Sequence, residues 1–152
     1  MYKPAIPVVT CTIYHKDKFL VIRRQDKAKK YGGIWGFPGG KVEIGETVAG
    51  ELVREIKEET NLDLSDKVLF VNSYYYGGDS LGLHFAGFST SDKVTPENGV
   101  EFKWLNSLTE LQQLDRIPGI DFHLTKSQEL MKQKNPFLSL DDIDYTPEKA
   151  TN

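Results

Sequence analysis

Residues 40–62 read GKVEIGETVAGELVREIKEETNL, and this stretch decides how the rest of the chain is interpreted. In a helix, Glu55, Glu58 and Glu59 occupy positions i, i+3 and i+4 and share one face. Like charges at this spacing destabilise an isolated helix by about 0.2–0.5 kcal/mol per pair. Mg²⁺ prefers oxygen ligands and binds one or two carboxylates together with substrate phosphates. The stretch therefore predicts a helix whose acidic face binds a divalent cation.

The predicted helix covers residues 46–60, which contain no proline. Its apolar positions, among them Leu52 and Ile56, form one arc, and the carboxylates lie along the edge of that arc. A carboxylate at the margin of a buried face is costly unless it is paired or binds a metal. Glu51 extends the acidic face by one turn. The alternative is a solvated surface helix with ion pairs such as Arg54 with Glu58, four residues apart.

The composition is that of a globular chain with one hydrophobic core. The chain has 152 residues, of which 39% are hydrophobic and 27% charged, and this length favours a single domain. Its net charge of −3 provides no basic surface for nucleic acid or an anionic membrane. Its single cysteine, Cys11, excludes an intrachain disulfide and lies in an apolar run. We therefore expect a cytoplasmic enzyme or binding protein without a nucleic-acid or membrane partner.

Outside the acidic helix, the pattern predicts strands first and helices late in the chain. Residues 35–40, WGFPGG, are too rich in glycine and proline for a regular element. The order predicts the α/β (α+β) class with a mixed sheet. We expect one domain over residues 1–134 and a docked or disordered tail over residues 135–152. The predicted strands are 6–14, 19–24, 67–76, 81–89 and 101–105, and the later helices are 108–114 and 124–134.

The spacing of the acidic stretch resembles the Nudix box. The residues that carry the resemblance are Gly40, Glu46, Arg54, Glu55, Ile56, Glu58, Glu59 and Leu62. The chain departs from the box at Asn61, where the box has glycine, but asparagine also tolerates the left-handed conformation required there. The preceding residues 35–41, WGFPGGK, look like those of the MutT-like branch of the family.

The resemblance implies an α/β/α sandwich around a central mixed sheet, with the box as a loop–helix–loop. It also implies an enzyme that cleaves a pyrophosphate bond in a nucleoside diphosphate linked to another group. Arg54 would hold a catalytic carboxylate by a bidentate ion pair, and Glu46 would support the start of the helix. Glu51 lies outside the pattern, and we expect it to be a solvated neighbour. The implied ligands of Mg²⁺ or Mn²⁺ are Glu55, Glu58, Glu59 and the carbonyl of Gly39.

The general base remains open at the level of sequence. Members of the family use either a box glutamate or a glutamate in a later loop, so Glu55 and Glu58 are candidates. Glu97 and Glu101, which precede and begin a predicted strand, are the later candidates. Each of these two is equally well interpreted as a solvated loop acid.

Candidate substrate contacts are Arg23, Lys41 and Tyr76. Arg23 and Arg24 end a strand and point to opposite faces, so we expect one of them near phosphate and the other in solvent. Lys41 follows the Gly39–Gly40 bend and could contact phosphate or pair with a box acid. The tyrosines of the third strand could stack on a base, although strand aromatics are more often part of a core.

The sequence favours a MutT-like enzyme that converts a nucleoside triphosphate, or a modified one, to a monophosphate and pyrophosphate. An ADP-ribose or nucleotide-sugar pyrophosphatase is the alternative enzyme. A non-catalytic domain that senses a nucleotide is the alternative from another class, and the intact box acids argue against it. The substrate is in each case a small nucleotide. The identity of that nucleotide and the oligomeric state, with a homodimer as one alternative, are left open.

Overall fold

The computed structural model describes residues 2–144, apart from the side chain of Tyr76. One mixed sheet contains the strands in the order β3-β2-β1-β6-β5-β8, while β4 pairs with β1 and β7 pairs with β2. The pair β1–β6 is parallel, and the other described pairs are antiparallel. The strands are β1 (Ile6–His15), β2 (Lys18–Arg24), β3 (Trp35–Gly36), β4 (Gly39–Lys41), β5 (Leu64–Gly77), β6 (Ser80–Ser89), β7 (Val100–Leu105) and β8 (Leu138–Ser139). The helices are α1 (Val48–Thr60), α2 (Leu108–Gln112), α3 (Ile120–Met131) and α4 (Leu140–Ile143).

Alternation along β1 builds a separate hydrophobic core on each face of the sheet. Val9, Cys11 and Ile13 are fully buried in the same core as Leu52 and Ile56 of α1. The alternate positions face α3, since successive side chains of a strand point to opposite faces. The helices therefore lie on both faces of a mixed sheet, which confirms the predicted α/β/α arrangement.

The second core joins α2 and α3 to the other face of the sheet. Leu111 and Leu124 are fully buried there together with Val21 of β2. The hydroxyl groups of Tyr14 on β1 and Ser127 on α3 form a buried hydrogen bond of 2.7 Å. This contact ties the start of the chain to its last long helix.

The prediction that residues 35–40 form no regular element was wrong. They contribute two short strands, and Gly39 of β4 lies opposite Thr10 of β1. A Cβ atom on Gly39 would lie 2.0 Å from the carbonyl oxygen of Val9. Glycine here permits a close strand pairing, although glycine-rich sequence is more typical of loops.

Helix α3 begins at Ile120, four residues before the predicted start at residue 124. Gly119 precedes it with a φ of 89°, in the left-handed region that glycine adopts without strain. The turn at Pro118 and Gly119 therefore starts this helix rather than marking a loop before it.

The segment after α3 returns to the sheet. Leu138 and Ser139 pair with Val68 and Lys67 of β5, and α4 follows directly. The carboxylate of Asp144 accepts a hydrogen bond of 3.1 Å from the backbone N–H of Ala49 in the first turn of α1. The rest of the predicted tail, residues 145–152, lies outside the described residues.

Within residues 2–144, no helix is long and apolar enough to cross a membrane. The longest, α1, has 13 residues.

Candidate active site at helix α1

Both ends of α1 are fixed by local contacts. The hydroxyl oxygen of Thr47 accepts a hydrogen bond of 3.2 Å from the backbone N–H of Gly50, which caps the start. Asn61 ends the helix with a φ of 61°, and its N–H donates to the carbonyl of Lys57. The expected left-handed conformation of Asn61 is confirmed. Because both ends are defined, the direction of each carboxylate on the helix is defined as well.

The glycines of β4 allow the sheet to approach the acidic face of α1 closely. The N–H of Gly39 donates a hydrogen bond of 2.9 Å to Oε1 of Glu59. A Cβ atom on Gly40 would lie 2.4 Å from Cδ of Glu55. The carboxylates of Glu55 and Glu59 therefore lie directly against the glycine backbone.

Glu59 is almost fully buried and is paired with Arg24. Nη2 of Arg24 donates a very short hydrogen bond to Oε2 of Glu59 and another, of 3.1 Å, to the carbonyl oxygen of Gly39. Burial raises the pKa of the Glu59 carboxyl, whereas Arg24 and the N–H of Gly39 act in the opposite direction. Arg24 thus joins the last strand position of β2 to both Gly39 and Glu59.

Arg54 gathers the other four carboxylates of the site. Its Nη2 donates to Glu51 at 2.6 and 2.8 Å, and its Nη1 donates to Glu58 at 2.8 Å. Longer hydrogen bonds of 3.3 Å join Nη2 to Glu55 and Nε to Glu46. The predicted role of Arg54 as a holder of carboxylates therefore has a matching geometry.

The site contains more negative charge than its arginines can neutralise. Five glutamates surround two guanidinium groups, so up to three negative charges are uncompensated. Burial, together with a hydrogen bond to Glu51, raises the pKa of Glu55 to about 8. A site that makes an internal carboxylate this hard to ionise is stabilised by a bound cation.

A hard divalent cation fits the chemistry of these donors, which are all oxygen atoms. Within the described part of the chain, no three acidic, histidine or cysteine side chains are already arranged around one point as metal ligands. Arg54 and Arg24 engage these carboxylates instead. Glu58 is the most accessible of these carboxylates, with 51% of its side chain exposed.

The two loop glutamates lie in different surroundings. The N–H of Glu97 donates a hydrogen bond of 3.2 Å to the carbonyl oxygen of Glu59, and the charge of Glu97 helps to raise the pKa of the Glu59 carboxyl. Glu101 instead accepts hydrogen bonds from Arg23 and Gln25, and the bond from Arg23 lowers its pKa. Glu97 therefore lies beside the box, whereas Glu101 is engaged on the neighbouring strand.

Arg24, rather than Arg23, reaches the acidic helix. Along β2, Leu20 and Ile22 are buried in the core beneath α1, and Arg24 continues this face by period-two alternation. Arg23 points to the other face, where its guanidinium lies 4.8 Å from the ring centre of Trp35. The sequence shows that the two arginines diverge, but it does not show which face α1 covers.

The expectation that Glu51 is solvated was wrong. Its side chain is completely inaccessible to solvent. Burial would raise its pKa, but the hydrogen bonds that its carboxylate accepts from Arg54, Glu46 and Glu55 lower it overall. On a helical projection Glu51 falls between Glu55 and Glu58, so its direction was visible in the sequence. Its burial was not, because the sequence does not show what packs against this face of α1.

An open cleft of about 270 Å³ lies beside the glycine strand. Basic side chains line it, namely Arg24, Lys29, Lys30 and Lys41. Gly39 and Gly40 form part of its wall, so the cleft meets the acidic helix. Lys41 lies among these basic side chains, whose positive charge suits phosphate groups.

A second cleft adjoins the first, and Thr10 and Phe37 line both. Its remaining walls are largely aromatic or apolar and include Tyr31, Tyr74 and Ile117. Tyr74 lies flat across the neighbouring strand because its partner there is Gly82, where a Cβ atom would be 2.2 Å from the tyrosine ring. The side chain of Tyr76, the third predicted substrate contact, lies outside the described residues.

Two stacked histidines lie at the base of the second cleft. The rings of His84 and His123 have centres 4.4 Å apart and an interplanar angle of 19°. His84 bonds Thr10 through Nδ1 at 2.7 Å and Thr12 through Nε2 at 2.8 Å. Burial lowers the pKa of His123 to about 4, and burial together with the charge of His123 lowers the pKa of His84 well below its usual range, so both rings are neutral at pH 7.

The hydrogen bonds of His123 define which ring nitrogen carries its proton. Nδ1 lies 3.1 Å from Oδ1 of Asn72, and the amide nitrogen of Asn72 donates to the carbonyl of Ser73. The Asn72 oxygen therefore accepts from Nδ1 of the neutral ring, and Nε2 is left as an acceptor. His123 lines the second cleft, so its neutral ring forms part of that wall.

Comparison with known proteins identifies this arrangement at the level of a family. The family model described as the NUDIX domain matches residues 4–127. A Nudix hydrolase of Bacillus subtilis, YvcI, is 28% identical over 149 residues, and the match covers 93% of this chain and 87% of that protein.

Two shorter matches are to relatives whose names give different substrates. An 8-oxo-dGTP diphosphatase of Proteus vulgaris is 33% identical over 45% of this chain and 62% of its own length. An ADP-ribose pyrophosphatase of Methanocaldococcus jannaschii is 53% identical over 33% of this chain and 29% of its own length.

Solved structures agree with the fold. A Nudix hydrolase from Nitrosomonas europaea superposes with a TM-score of 0.74 at 19% identity, covering 88% of this chain and 76% of that one. The MutT protein from Methanosarcina mazei superposes with a TM-score of 0.66 at 28% identity, covering 88% of this chain and 99% of that one.

Proposed function

The chain belongs to the Nudix family, as a hydrolase of nucleoside diphosphate derivatives, and we propose that it cleaves a nucleoside triphosphate, or a modified one, to a monophosphate and pyrophosphate. Members of the family use divalent metal ions, and we propose Mg²⁺, with Mn²⁺ as the substitute, for this protein.

The observation that carries the proposal is the meeting of three surfaces. An acidic helix face with uncompensated negative charge lies against Gly39 and Gly40, and the basic cleft begins at the same glycines. The aromatic cleft adjoins the basic one at Thr10 and Phe37. A nucleotide has matching parts in the same order, since its base is joined through the sugar to the phosphates that a metal would bridge.

The roles of the side chains follow from their positions. Glu55, Glu58, Glu59 and the carbonyl of Gly39 would hold the metal, which lowers the pKa of a bound water and shields the charge of the phosphates. Arg54 keeps Glu55 and Glu58 oriented, and Glu46 supports Arg54 at the start of the helix. Lys41 and its neighbours in the basic cleft would bind the phosphates.

Glu97 is the better placed of the two loop glutamates for the general base. Its loop is tied to the end of α1 by the hydrogen bond to Glu59, and its charge acts on Glu59. Glu101 would first have to leave Arg23 and Gln25. Among the box residues, Glu55 and Glu58 remain the competing bases. If a Glu97→Gln variant kept full turnover, Glu97 would not be the general base, and Glu55 or Glu58 would act as the base instead.

The second cleft is a candidate site for the base of the nucleotide, because its walls are largely aromatic or apolar and the neutral ring of His123 lines it. An ADP-ribose pyrophosphatase remains the second candidate, supported by the 53% identity to a relative of that name. The two candidate reactions release different products besides the nucleoside monophosphate. The product is pyrophosphate from a nucleoside triphosphate and a sugar phosphate from ADP-ribose.

A substrate panel tests the proposal directly. The protein is incubated with canonical and oxidised nucleoside triphosphates, ADP-ribose and nucleotide sugars in the presence of Mg²⁺, and the products are identified by mass spectrometry. We expect turnover of a triphosphate to a monophosphate and pyrophosphate, and its loss with EDTA. Tight binding of a nucleotide without turnover of any compound would instead support the non-catalytic sensor.

The proposal also includes a cytoplasmic location, with a homodimer as the alternative to a monomer. Cell fractionation tests the first, and light scattering coupled to size-exclusion chromatography tests the second.

A further inference from the structure

A buried carboxylate outside the box pattern takes part in the geometry of the site. Glu51 lies in the first turn of α1, and its side chain has no solvent-accessible surface. Both of its carboxylate oxygens accept hydrogen bonds from Nη2 of Arg54, at 2.6 and 2.8 Å, and Nε of Arg54 lies 3.3 Å from Oε2. We propose that Glu51 is a positioning residue that fixes the Arg54 guanidinium, so that Arg54 in turn aims the carboxylates of Glu58 and Glu55.

The ion pair between Arg54 and Glu58 is partly exposed to solvent. The side chains of Arg54 and Glu58 are 37% and 51% accessible, and an ion pair this exposed does not hold two long side chains in one geometry by itself. Glu51 differs from the three other carboxylates around Arg54 because it is fully buried. It therefore supplies the fixed end of the network.

The planar shape of the guanidinium transmits this constraint. When Nη2 and Nε are both held by Glu51, the plane of the group is fixed and Nη1 points in one direction. Nη1 is the atom that donates to Glu58 at 2.8 Å. The Nη2 atom held by Glu51 also contacts Glu55 at 3.3 Å. Both carboxylates are thus oriented by one rigid group.

Stability alone gives little reason for a glutamate at this position. The neighbouring inward positions of α1 are apolar, namely Leu52 and Ile56. Replacing a buried ion pair with well-packed apolar groups is often neutral or stabilising, whereas breaking it by removing one partner is costly. A buried carboxylate bound to the arginine that orients the site is better explained by its effect on that arginine.

This inference rests on the proposed function, so the experiment separates the two. The variants are Glu51→Gln, which keeps the size and removes the charge, and Glu51→Asp, which keeps the charge and shortens the side chain. Glu129→Gln, an exposed acid on α3 that approaches Lys126, is the matched control. Turnover is measured with Mg²⁺ and the substrate found in the panel, and folding is checked by thermal unfolding.

We expect Glu51→Gln to lower kcat by about 10- to 100-fold, the range found when the partners of metal-binding side chains are removed. The KM should stay within twofold, because Glu51 does not line the basic cleft. Glu51→Asp should recover part of kcat, since it retains the charge that holds Arg54. The control should behave like the wild type.

A spectroscopic measurement without substrate tests the positioning role itself. In nitrogen-15 NMR spectra, a guanidinium held by Glu51 should give separate signals for its two Nη atoms, because rotation of the group is restricted. The Arg54 signals are assigned by their loss in Arg54→Lys. We expect them to merge in Glu51→Gln and to remain separate in the Glu129→Gln control.

Each outcome decides the matter. Wild-type kcat in Glu51→Gln, or a loss of kcat with unchanged Arg54 signals, would overturn the inference while the proposed function stands. If Glu51→Gln fails to fold, Glu51→Asp carries the test: merged Arg54 signals together with wild-type kcat would overturn it. A wild-type protein that turns over no nucleotide would instead refute the proposed function, and the NMR comparison would still report on Arg54.

Discussion

Glu58 combines a contact with Arg54 and an open path to solvent, so its removal separates function from folding. In Glu58→Gln the site loses the charge of a metal ligand while α1 keeps its shape. We expect kcat to fall by about 100-fold or more, beyond the cost of losing an outer partner. Stability should be unchanged or slightly higher, because like-charge repulsion along α1 is relieved. Steady-state kinetics and thermal unfolding measure both, and wild-type turnover would show that Glu58 is not a ligand.

Arg24 and Arg23 are adjacent, and their substitution by methionine provides a matched pair. Arg24→Met leaves the buried carboxylate of Glu59 without its cation, and we expect a loss of about 3 kcal/mol in the free energy of unfolding. Arg23→Met breaks a half-exposed pair with Glu101 and should cost about 1 kcal/mol or less. Urea unfolding distinguishes the two. Adding Glu59→Gln to Arg24→Met should restore part of the loss, and equal losses in the two single variants would contradict the assignment of Arg24.

At the scale of the elements, β4 brings the sheet into contact with α1 through two glycines with different neighbours. A Cβ atom on Gly40 would meet the movable end of the Glu55 side chain, whereas one on Gly39 would meet the backbone of β1. Gly40→Ala should therefore displace Glu55 and lower kcat, by about 100-fold for a displacement near 1 Å. Gly39→Ala should mainly lower the melting temperature. Thermal unfolding and kinetics of both variants test this, and the opposite order of effects would refute it.

The elements also show what the sequence could predict. Helix α1 was predicted within two residues of its start, because its period and its cap at Asn61 are local signals. Strands β3 and β4 were missed, because their pairing depends on β1 and β2, which are distant in sequence. The start of α3 was predicted four residues too late, because Gly119 begins the helix through a left-handed backbone conformation rather than through a side-chain cap.

At the scale of the whole molecule, local sequence signals predict one half of the candidate site and not the other. Its acidic half was predictable, because the box is contiguous and its spacing is specific. The basic and aromatic clefts combine residues of separate strands and of α3, so no local pattern identifies them. Glu51 and Arg24 required knowledge of which faces meet, and the sequence shows alternation without showing what covers each face.

The histidine pair connects three elements and makes the stability of the whole molecule depend on pH. His84 lies on β6, His123 on α3, and the threonines that bond His84 lie on β1. Burial lowers the pKa of both histidines, that of His123 from 6.5 to about 4. Between pH 6.5 and about pH 4, the imidazole of His123 binds a proton in the unfolded chain but not in the folded protein. The contribution of the two histidines to stability is therefore complete above pH 6.5 and is lost as the pH falls.

Between pH 7 and pH 5, we expect each histidine to lower the free energy of unfolding by up to about 1.4 kcal/mol per pH unit as the pH falls, whereas the raised pKa of the Glu55 carboxyl acts in the opposite direction. Urea unfolding at several pH values, with EDTA present, gives this slope. In His123→Gln the slope should become smaller, because one group that titrates only in the unfolded chain is removed. Gln128→Ala, an exposed neutral position on the same helix, should keep the wild-type slope. If His123→Gln also kept it, the imidazole of His123 would titrate alike in the folded and unfolded protein, and its assignment as a neutral ring in the wall of the second cleft would fail with it.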